Sequence, residues 1–196
     1  MLAFEALVFD VGGVIIAHDN EQLYRRLAGD CLTPNALEWI RSECHDIRYA
    51  TGERQISFLH EQLRRTVGYR LEWDGFLTAW SSHLTLDIGM LNLIEKLALK
   101  NRILLFSNTN PEHWEHVQTL TNGLLNRFEA YLSYEIGCVK PSLESFQLVA
   151  RTAKINPARS LFVDDLVENV RAAREAGFEA EIFAGQSALE HYLQML

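Results

Sequence analysis

Ala6-Leu7-Val8-Phe9-Asp10-Val11-Gly12-Gly13 is a short apolar run that stops at an acidic residue and passes directly into a glycine pair. Four apolar residues without polar alternation suit a strand buried on both faces, the usual condition of strands in a parallel sheet. The glycine pair predicts a tight loop at the strand's carboxyl end. The same grammar recurs downstream: residues 102–106 end at Ser107-Asn108, residues 160–163 end at Asp164-Asp165, and residues 179–183 read as a further strand. Between them lie helix-period stretches over 88–99, 141–154 and 167–176, the last closed by Gly177 at C′. This alternation predicts an α/β chain with a doubly wound, Rossmann-like parallel sheet covered on both faces. In such a sheet, ligands sit outside the carboxyl ends of the strands.

Residues 17–86 break the alternation, with several helix-period stretches and no convincing strand. Thr33-Pro34 pairs an N-cap residue with proline at N1 and predicts a helix reaching about Tyr49, with Gly52 beyond it. Residues 56–67 and 71–80 supply two more apolar stripes. The expected organisation is therefore a core of residues 1–16 and 87–196 with a small all-helical cap, residues 17–86, inserted after the first strand. The junctions near 16–19 and 85–88 are the expected hinges. Trp39, Trp73 and Trp80 read as the cap's own core, because large rings dominate the packing of small domains.

A chain of 196 residues with 48% apolar composition can bury a substantial core. Its 26 acidic and 18 basic residues leave a formal charge of −8, which argues against nucleic acid or an anionic membrane as partner. The first residues carry no basic leader, and no stretch approaches the roughly 20 apolar residues of a membrane span. A cytoplasmic protein is expected. Cys31, Cys44 and Cys138 are odd in number and scattered, which fits reduced thiols rather than a disulfide framework or zinc site.

The polar groups at the strand ends carry the chemistry. Asp10 follows the first strand, Ser107-Asn108 the second, Lys140-Pro141 opens a later helix, and Asp164-Asp165 closes another strand. In a parallel sheet these points converge on one crevice. A carboxylate there can attack the phosphorus of a phosphate monoester and form an aspartyl-phosphate, dividing the reaction into two easier displacements. Carboxylate and phosphate repel each other, and magnesium bound by a few carboxylates removes much of that repulsion. Asp164 and Asp165 are placed to supply acidic ligands beside Asp10, and Gly12 its backbone carbonyl. Lys140 supplies a fixed cation for the nucleophile and the transferring group. Ser107 and the N–H of Asn108 are expected donors to phosphate oxygens, while Gly12 and Gly13 allow close backbone approach on the other side. The implied partner is a small phosphorylated metabolite, and the implied cofactor is Mg2+.

Phe9-Asp10-Val11-Gly12-Gly13-Val14, Phe106-Ser107-Asn108-Thr109-Asn110, Val139-Lys140-Pro141 and the run from Phe162 through Asp164-Asp165 to Asn169 resemble, in order, the four motifs of the haloacid-dehalogenase superfamily. Within it, the Ser-Asn-Thr-Asn motif and the glycine two residues after Asp10 are similar to the bacterial α-D-glucose-1-phosphate phosphatase group. The resemblance implies Asp10 as nucleophile, Ser107 and Lys140 as phosphate binders, and Asp10 and Asp165, with Asp164 close by, as magnesium holders. It also implies that Asn169 fixes the Asp pair or a metal-bound water, and that the fold is doubly wound with a helical cap after the first motif.

One position departs from the pattern. Most phosphatases of this superfamily carry a second Asp two residues after the nucleophile, where it serves as general acid and base; here Gly12 stands there. Three readings follow. One is a phosphatase acting on a substrate with a better leaving group, such as a sugar 1-phosphate, or borrowing His18 or Asp19 from the edge of the cap. The second is a metal-free 2-haloacid dehalogenase, against which the repulsion of Asp164 and Asp165 counts. The third is a non-catalytic member that binds a phosphorylated ligand or a protein. Glu53 and Arg54, in a glycine-containing turn of the cap, are expected to reach into the crevice. Arg25-Arg26 and Arg64-Arg65 read as solvated helix faces. His113 and His116, with Trp114 between them, lack the carboxylate frame of a zinc site and read as surface or packing residues. His45, His60, His83 and His191 carry no assignment.

Overall fold

A computed structural model describes residues 4–195. The chain enters through β1 (Ala6–Phe9) and a short β2 (Ile16–His18), then runs through five helices: α1 (Asn20–Ala28), α2 (Ala36–Cys44), α3 (Ile47–Ala50), α4 (Ile56–Val67) and α5 (Trp73–Ser81). It returns through β3 (Leu84–Leu86), α6 (Ile88–Ala98), β4 (Arg102–Ser107), α7 (Pro111–Leu120), β5 (Glu129–Leu132) and α8 (Ser133–Ile136). It ends with α9 (Leu143–Ala153), β6 (Ser160–Asp164), α10 (Val167–Glu175), β7 (Glu179–Ile182) and α11 (Gln186–Gln194).

Five strands form one parallel sheet in the order β5-β4-β1-β6-β7, with β1 at its centre. All four residues of β1 are buried, as its unbroken apolar run requires. One face of the sheet packs Leu7 and Phe9 against α6 through Met90 and Ile94. The other packs Val8, Leu104 and Phe162 against α9 and α10. Helix α9 shows how its sequence does this: Phe146, Val149, Ala150 and Ala153 recur at helical spacing and are the apolar residues it buries. Its N-cap, Ser142, accepts the Ser145 N–H, and its chain ends in a left-handed Lys154. A third apolar cluster lies wholly within the cap, where Leu27, Ile40, Leu59, Leu63 and Phe76 meet.

Several expectations need correction. The cap segment does contain strand: β2 and β3 pair antiparallel, Ile16 opposite Leu86 and His18 opposite Leu84. The boundary expected at 16/17 therefore falls inside β2, while that at 86/87 falls at the end of β3, the other strand of the ribbon that carries the cap. Three-residue strands are too short to register as a period in sequence. The single helix expected from Thr33 to about Tyr49 is two helices. Thr33 makes a turn, its carbonyl accepting from Ala36 N–H, and α2 starts at Ala36. The chain then restarts at Asp46, whose side chain takes the Arg48 N–H and so caps α3 in place of continuing α2. Strand β5 at the sheet edge was not foreseen, and Pro141 lies before α9 rather than within it, joined to Lys140 by a cis peptide. No helix among the described residues is long and apolar enough to cross a membrane.

Phe146 meets Phe106 and Phe162 edge-on, with ring centroids 5.3 and 5.1 Å apart, directly beneath the sheet's carboxyl end. Phe146→Ala is expected to lower unfolding free energy by ~3–5 kcal/mol, the cost of a large buried cavity. Urea titration of the two proteins measures it, and a loss below about 1 kcal/mol would mean that this aromatic cluster does not support the sheet.

Candidate active site

Each inner strand delivers one polar group to the same end of the sheet. The Asp10 N–H extends the β1 ladder by donating to Val163 O at 2.9 Å, which holds its carboxylate level with Asp164 at the end of β6. Ser107 closes β4 on the other side and is buried. Lys140 arrives from the loop between α8 and α9, and its ammonium lies 2.9 Å from Asp10 Oδ1 and 2.7 Å from Asp164 Oδ2. The chain thus brings Asp10, Ser107, Lys140, Asp164 and Asp165 together as their order predicts.

Burying an ammonium is costly unless it is paired, and two carboxylates pair this one. The rings of Phe106 and Phe162 complete its surroundings, with centroids 5.3 and 5.4 Å from Nζ. Asn108 fixes the lysine's backbone reciprocally: its Nδ2 donates to Lys140 O at 2.8 Å and its Oδ1 accepts from Lys140 N–H at 2.9 Å. The Asn108 side chain is therefore spent on placing Lys140, while the donor expected for phosphate is its backbone N–H. Asp164 is held as firmly, accepting Leu166 N–H at 2.9 Å and Asn169 Nδ2 on both oxygens at 3.0 Å. Asp165, by contrast, borders a cavity of about 220 Å³ that opens above these groups.

Carboxylate oxygens of Asp10, Asp164 and Asp165 lie within 4.8 Å of one another, and Lys140 is the cation set against them. Burial pushes the Asp10 carboxyl up from its ordinary value, Lys140 pulls it back, and the Asp164 charge adds to the rise. Asp165 is raised too, by burial and then by Asp164. Asn169 borders the cavity, and its Oδ1 is buried without a hydrogen-bond partner. Oxygen ligands and surplus negative charge, beside a buried acceptor that has no protein partner, together fit a hard divalent cation such as magnesium.

The two glycines divide their use. Gly13, at φ +75, faces Asp165: a Cβ there would lie 2.3 Å from the Asp165 carboxyl carbon. Gly13 makes room for that carboxylate and does not stand on the cavity wall. Gly12 does, with His18, Asn20, His83, Leu84 and His113 around and above it. Asp19 is turned away, its side chain capping α1 through Gln22 N–H at 3.0 Å.

Other expectations fall differently. Arg54 does not reach the crevice: it pairs with Asp46 at 2.6 Å and Glu43 at 3.5 Å inside the cap and lies over the Phe58 ring. Glu53 accepts from Thr51 Oγ1 in the same turn. Arg26, Arg64 and Arg65 make surface pairs with Asp30, Glu72 and Glu61. His113 has the packing role expected, stacked on Trp80 at 4.7 Å, and it also borders the cavity. His83 and Asn20 were not anticipated, because they come from the ends of cap elements where no spacing marks them. Ser133 was missed as well: its buried Oγ accepts Thr109 N–H and donates to Thr109 O, fixing the loop after β4.

A family model described as haloacid dehalogenase-like hydrolase matches residues 4–177. A D-ribitol-5-phosphate phosphatase of Bacteroides thetaiotaomicron is 28% identical over 182 residues, covering 88% of each chain. A HAD family enzyme of the same organism, solved with magnesium and inorganic phosphate, superposes with a TM-score of 0.82 at 28% identity, over 93% of this chain and 96% of that one. The L-2-haloacid dehalogenase of Xanthobacter autotrophicus shares the fold at 23% identity and a TM-score of 0.63, over 98% of this chain and 83% of that one.

His113 Nε2 contacts Trp80 O at 3.1 Å and its Nδ1 faces the Asn110 amide nitrogen at 3.2 Å, so the neutral ring donates from Nε2 and accepts at Nδ1. Burial pushes His113 down to about 3 and His83 down to about 4. Both rings take up protons near 6.5 once unfolded, so below that pH the unfolded chain binds more protons. Their contribution to stability is complete above about pH 6.5 and falls as pH drops toward 4. Each histidine adds at most ~1.4 kcal/mol of loss per pH unit inside that window. Urea unfolding at pH 6.5 and 5 is expected to show a shallower acid loss in His113→Asn than in the wild type, and equal slopes contradict the assignment.

Proposed function

The chain belongs to the haloacid dehalogenase-like hydrolases, and from that premise we propose that it is a magnesium-dependent phosphatase of small, uncharged, polyhydroxylated alcohols. The observation that carries this reading is the buried Lys140 shared by Asp10 and Asp164, beside a third carboxylate, Asp165, that lines the cavity. A bound magnesium ion, held by Asp10 and Asp165, supplies the charge neutralisation that lets a phosphate approach these carboxylates.

The chain's own residues do the rest. Lys140 and the Val11 N–H converge on Asp10 Oδ1, at 2.9 and 2.6 Å, which orients the carboxylate. An Asp10 oxygen bonds to phosphorus as the ester P–O bond breaks, its electron pair leaving with the alcohol oxygen, which takes a proton as it departs. Water then attacks the phosphoryl group on Asp10, and the P–O bond to Asp10 breaks to return the carboxylate and inorganic phosphate. Ser107 and neighbouring backbone N–H groups hold the phosphoryl oxygens, and Asp164, carrying Lys140 and Asn169, keeps the cation aimed.

The likeness to a D-ribitol-5-phosphate phosphatase supports a polyol or sugar phosphate, and a hexose 1-phosphate belongs to the same chemical class. The cavity supports it too: its upper wall offers Asn20 and the rings of His18, His83 and His113, and Lys140 is its lone ammonium or guanidinium group among the described residues. Metal-free halide displacement suits the site less, because three neighbouring carboxylates against a single lysine leave surplus negative charge.

Asp10→Asn is expected to cut magnesium-dependent phosphate release by roughly 10⁴-fold or more. Halide release from 2-haloacids without metal, and no phosphate release from any ester, would overturn the reading. Across a substrate panel, phosphates of neutral sugars and polyols are expected to exceed bisphosphates in kcat/KM by at least about tenfold, since one missing charge-assisted hydrogen bond is worth ~1.5–3 kcal/mol. A bisphosphate that matches or outruns the neutral esters contradicts the substrate class.

A further inference from the structure

Gly12 occupies the position where most phosphatases of this superfamily carry the side chain that meets the leaving oxygen, and the structure fills that space from elsewhere. A Cβ built on Gly12 would lie 3.3 Å from His18 Cδ2 and 3.5 Å from His18 Nε2. The imidazole edge therefore stands against Gly12 on the cavity wall, where a longer side chain at residue 12 would begin.

The backbone holds it there. His18 ends β2 and pairs with Leu84 of β3, while Gly12 is bridged to Ile16 at the start of the same ribbon. Gly13 N–H donates to Ile16 O at 2.8 Å and Ile16 N–H donates to Val11 O at 2.8 Å, so the loop after Asp10 and the strand carrying His18 form one hydrogen-bonded unit. The neighbouring Asp19 is committed to capping α1. Asn20, also on the wall, opens α1, and only His18 atoms lie within 4 Å of a Cβ built on Gly12.

We propose that His18 is the catalytic residue that hydrogen-bonds to the bridging oxygen of the phosphoester, replacing in space the side chain that Gly12 lacks. The inference rests on the phosphatase reading above. As the P–O bond breaks, negative charge grows on that oxygen, and a ring N–H fixed beside it stabilises the charge more in the transition state than in the bound ester. The contact matters most for poor leaving groups, such as the alkoxide of a polyol, and least for phenolates that carry their own charge well. His18 is an exposed residue, so its replacement leaves no buried cavity.

The experiment compares wild type, His18→Ala and His18→Gln on ribitol 5-phosphate and p-nitrophenyl phosphate with saturating magnesium, after equal Tm values establish intact folds. Removing one preorganised donor is expected to cost His18→Ala roughly 10²–10³-fold in kcat on ribitol 5-phosphate, with KM changed little. The loss on p-nitrophenyl phosphate is expected to be several-fold only, and His18→Gln, which keeps a side-chain N–H, recovers part of the ribitol phosphate rate. Equal losses on the two esters, or no loss on ribitol 5-phosphate, overturn the role of His18 and leave the phosphatase reading standing. A wild-type protein that releases phosphate from neither ester overturns both.

Discussion

One buried ammonium holds the site together. Lys140 lies between Asp10 and Asp164 at hydrogen-bond distance from both, with no exposed side-chain surface. A charge in such a place is tolerable only if the surrounding structure keeps its partners in position, because removing either one strands the other charges without water. The fold is arranged to prevent that. The parallel register sets Asp10 beside Asp164, Asn108 grips the lysine's peptide on both sides, and Asn169 and Leu166 hold Asp164 from behind. Phe106, Phe146 and Phe162 form the apolar floor beneath, so the packing of α9 and the placement of the cation are one problem.

The two carboxylates of the Asp164-Asp165 pair have separate work. Asp164 spends its oxygens on Lys140, Leu166 and Asn169, whereas Asp165 stands on the cavity wall against Gly13. Gly13 is needed because its positive φ and missing Cβ leave the space that the Asp165 carboxyl occupies. Gly12 leaves space for the His18 ring. The two glycines therefore link the loop after Asp10 to the carboxylate of another strand and to the ribbon that carries the cap.

The strand-end residues were readable from the sequence because parallel strands leave a plain trace, an unbroken apolar run ending in a polar group. Asp10, Ser107 and Asp164-Asp165 all follow such runs, and the topology does the rest. What lay beyond reading was whatever depends on short or interrupted elements. The β2–β3 ribbon has three residues a side, too few for periodicity. Helix α2 ends because Asp46 offers the backbone a competing bond, which helix-period counting does not weigh. Arg54 looked free in sequence because its partners, Asp46 and Glu43, are brought to it only by the fold of the cap. His83 and His113 reach the cavity from a cap end and from α7, a meeting that no spacing encodes.

Phosphoryl transfer through Asp10 requires a covalent phosphoryl group on its carboxylate. Quenching the protein with acid during turnover of a phosphate ester with magnesium, reducing any acyl phosphate with borohydride and mapping the peptides by mass spectrometry tests this directly. Conversion of Asp10, and of no other aspartate, to homoserine in a magnesium-dependent manner is the expected result. Continued phosphate release with Asp10 unmodified, or modification at a different residue, contradicts it.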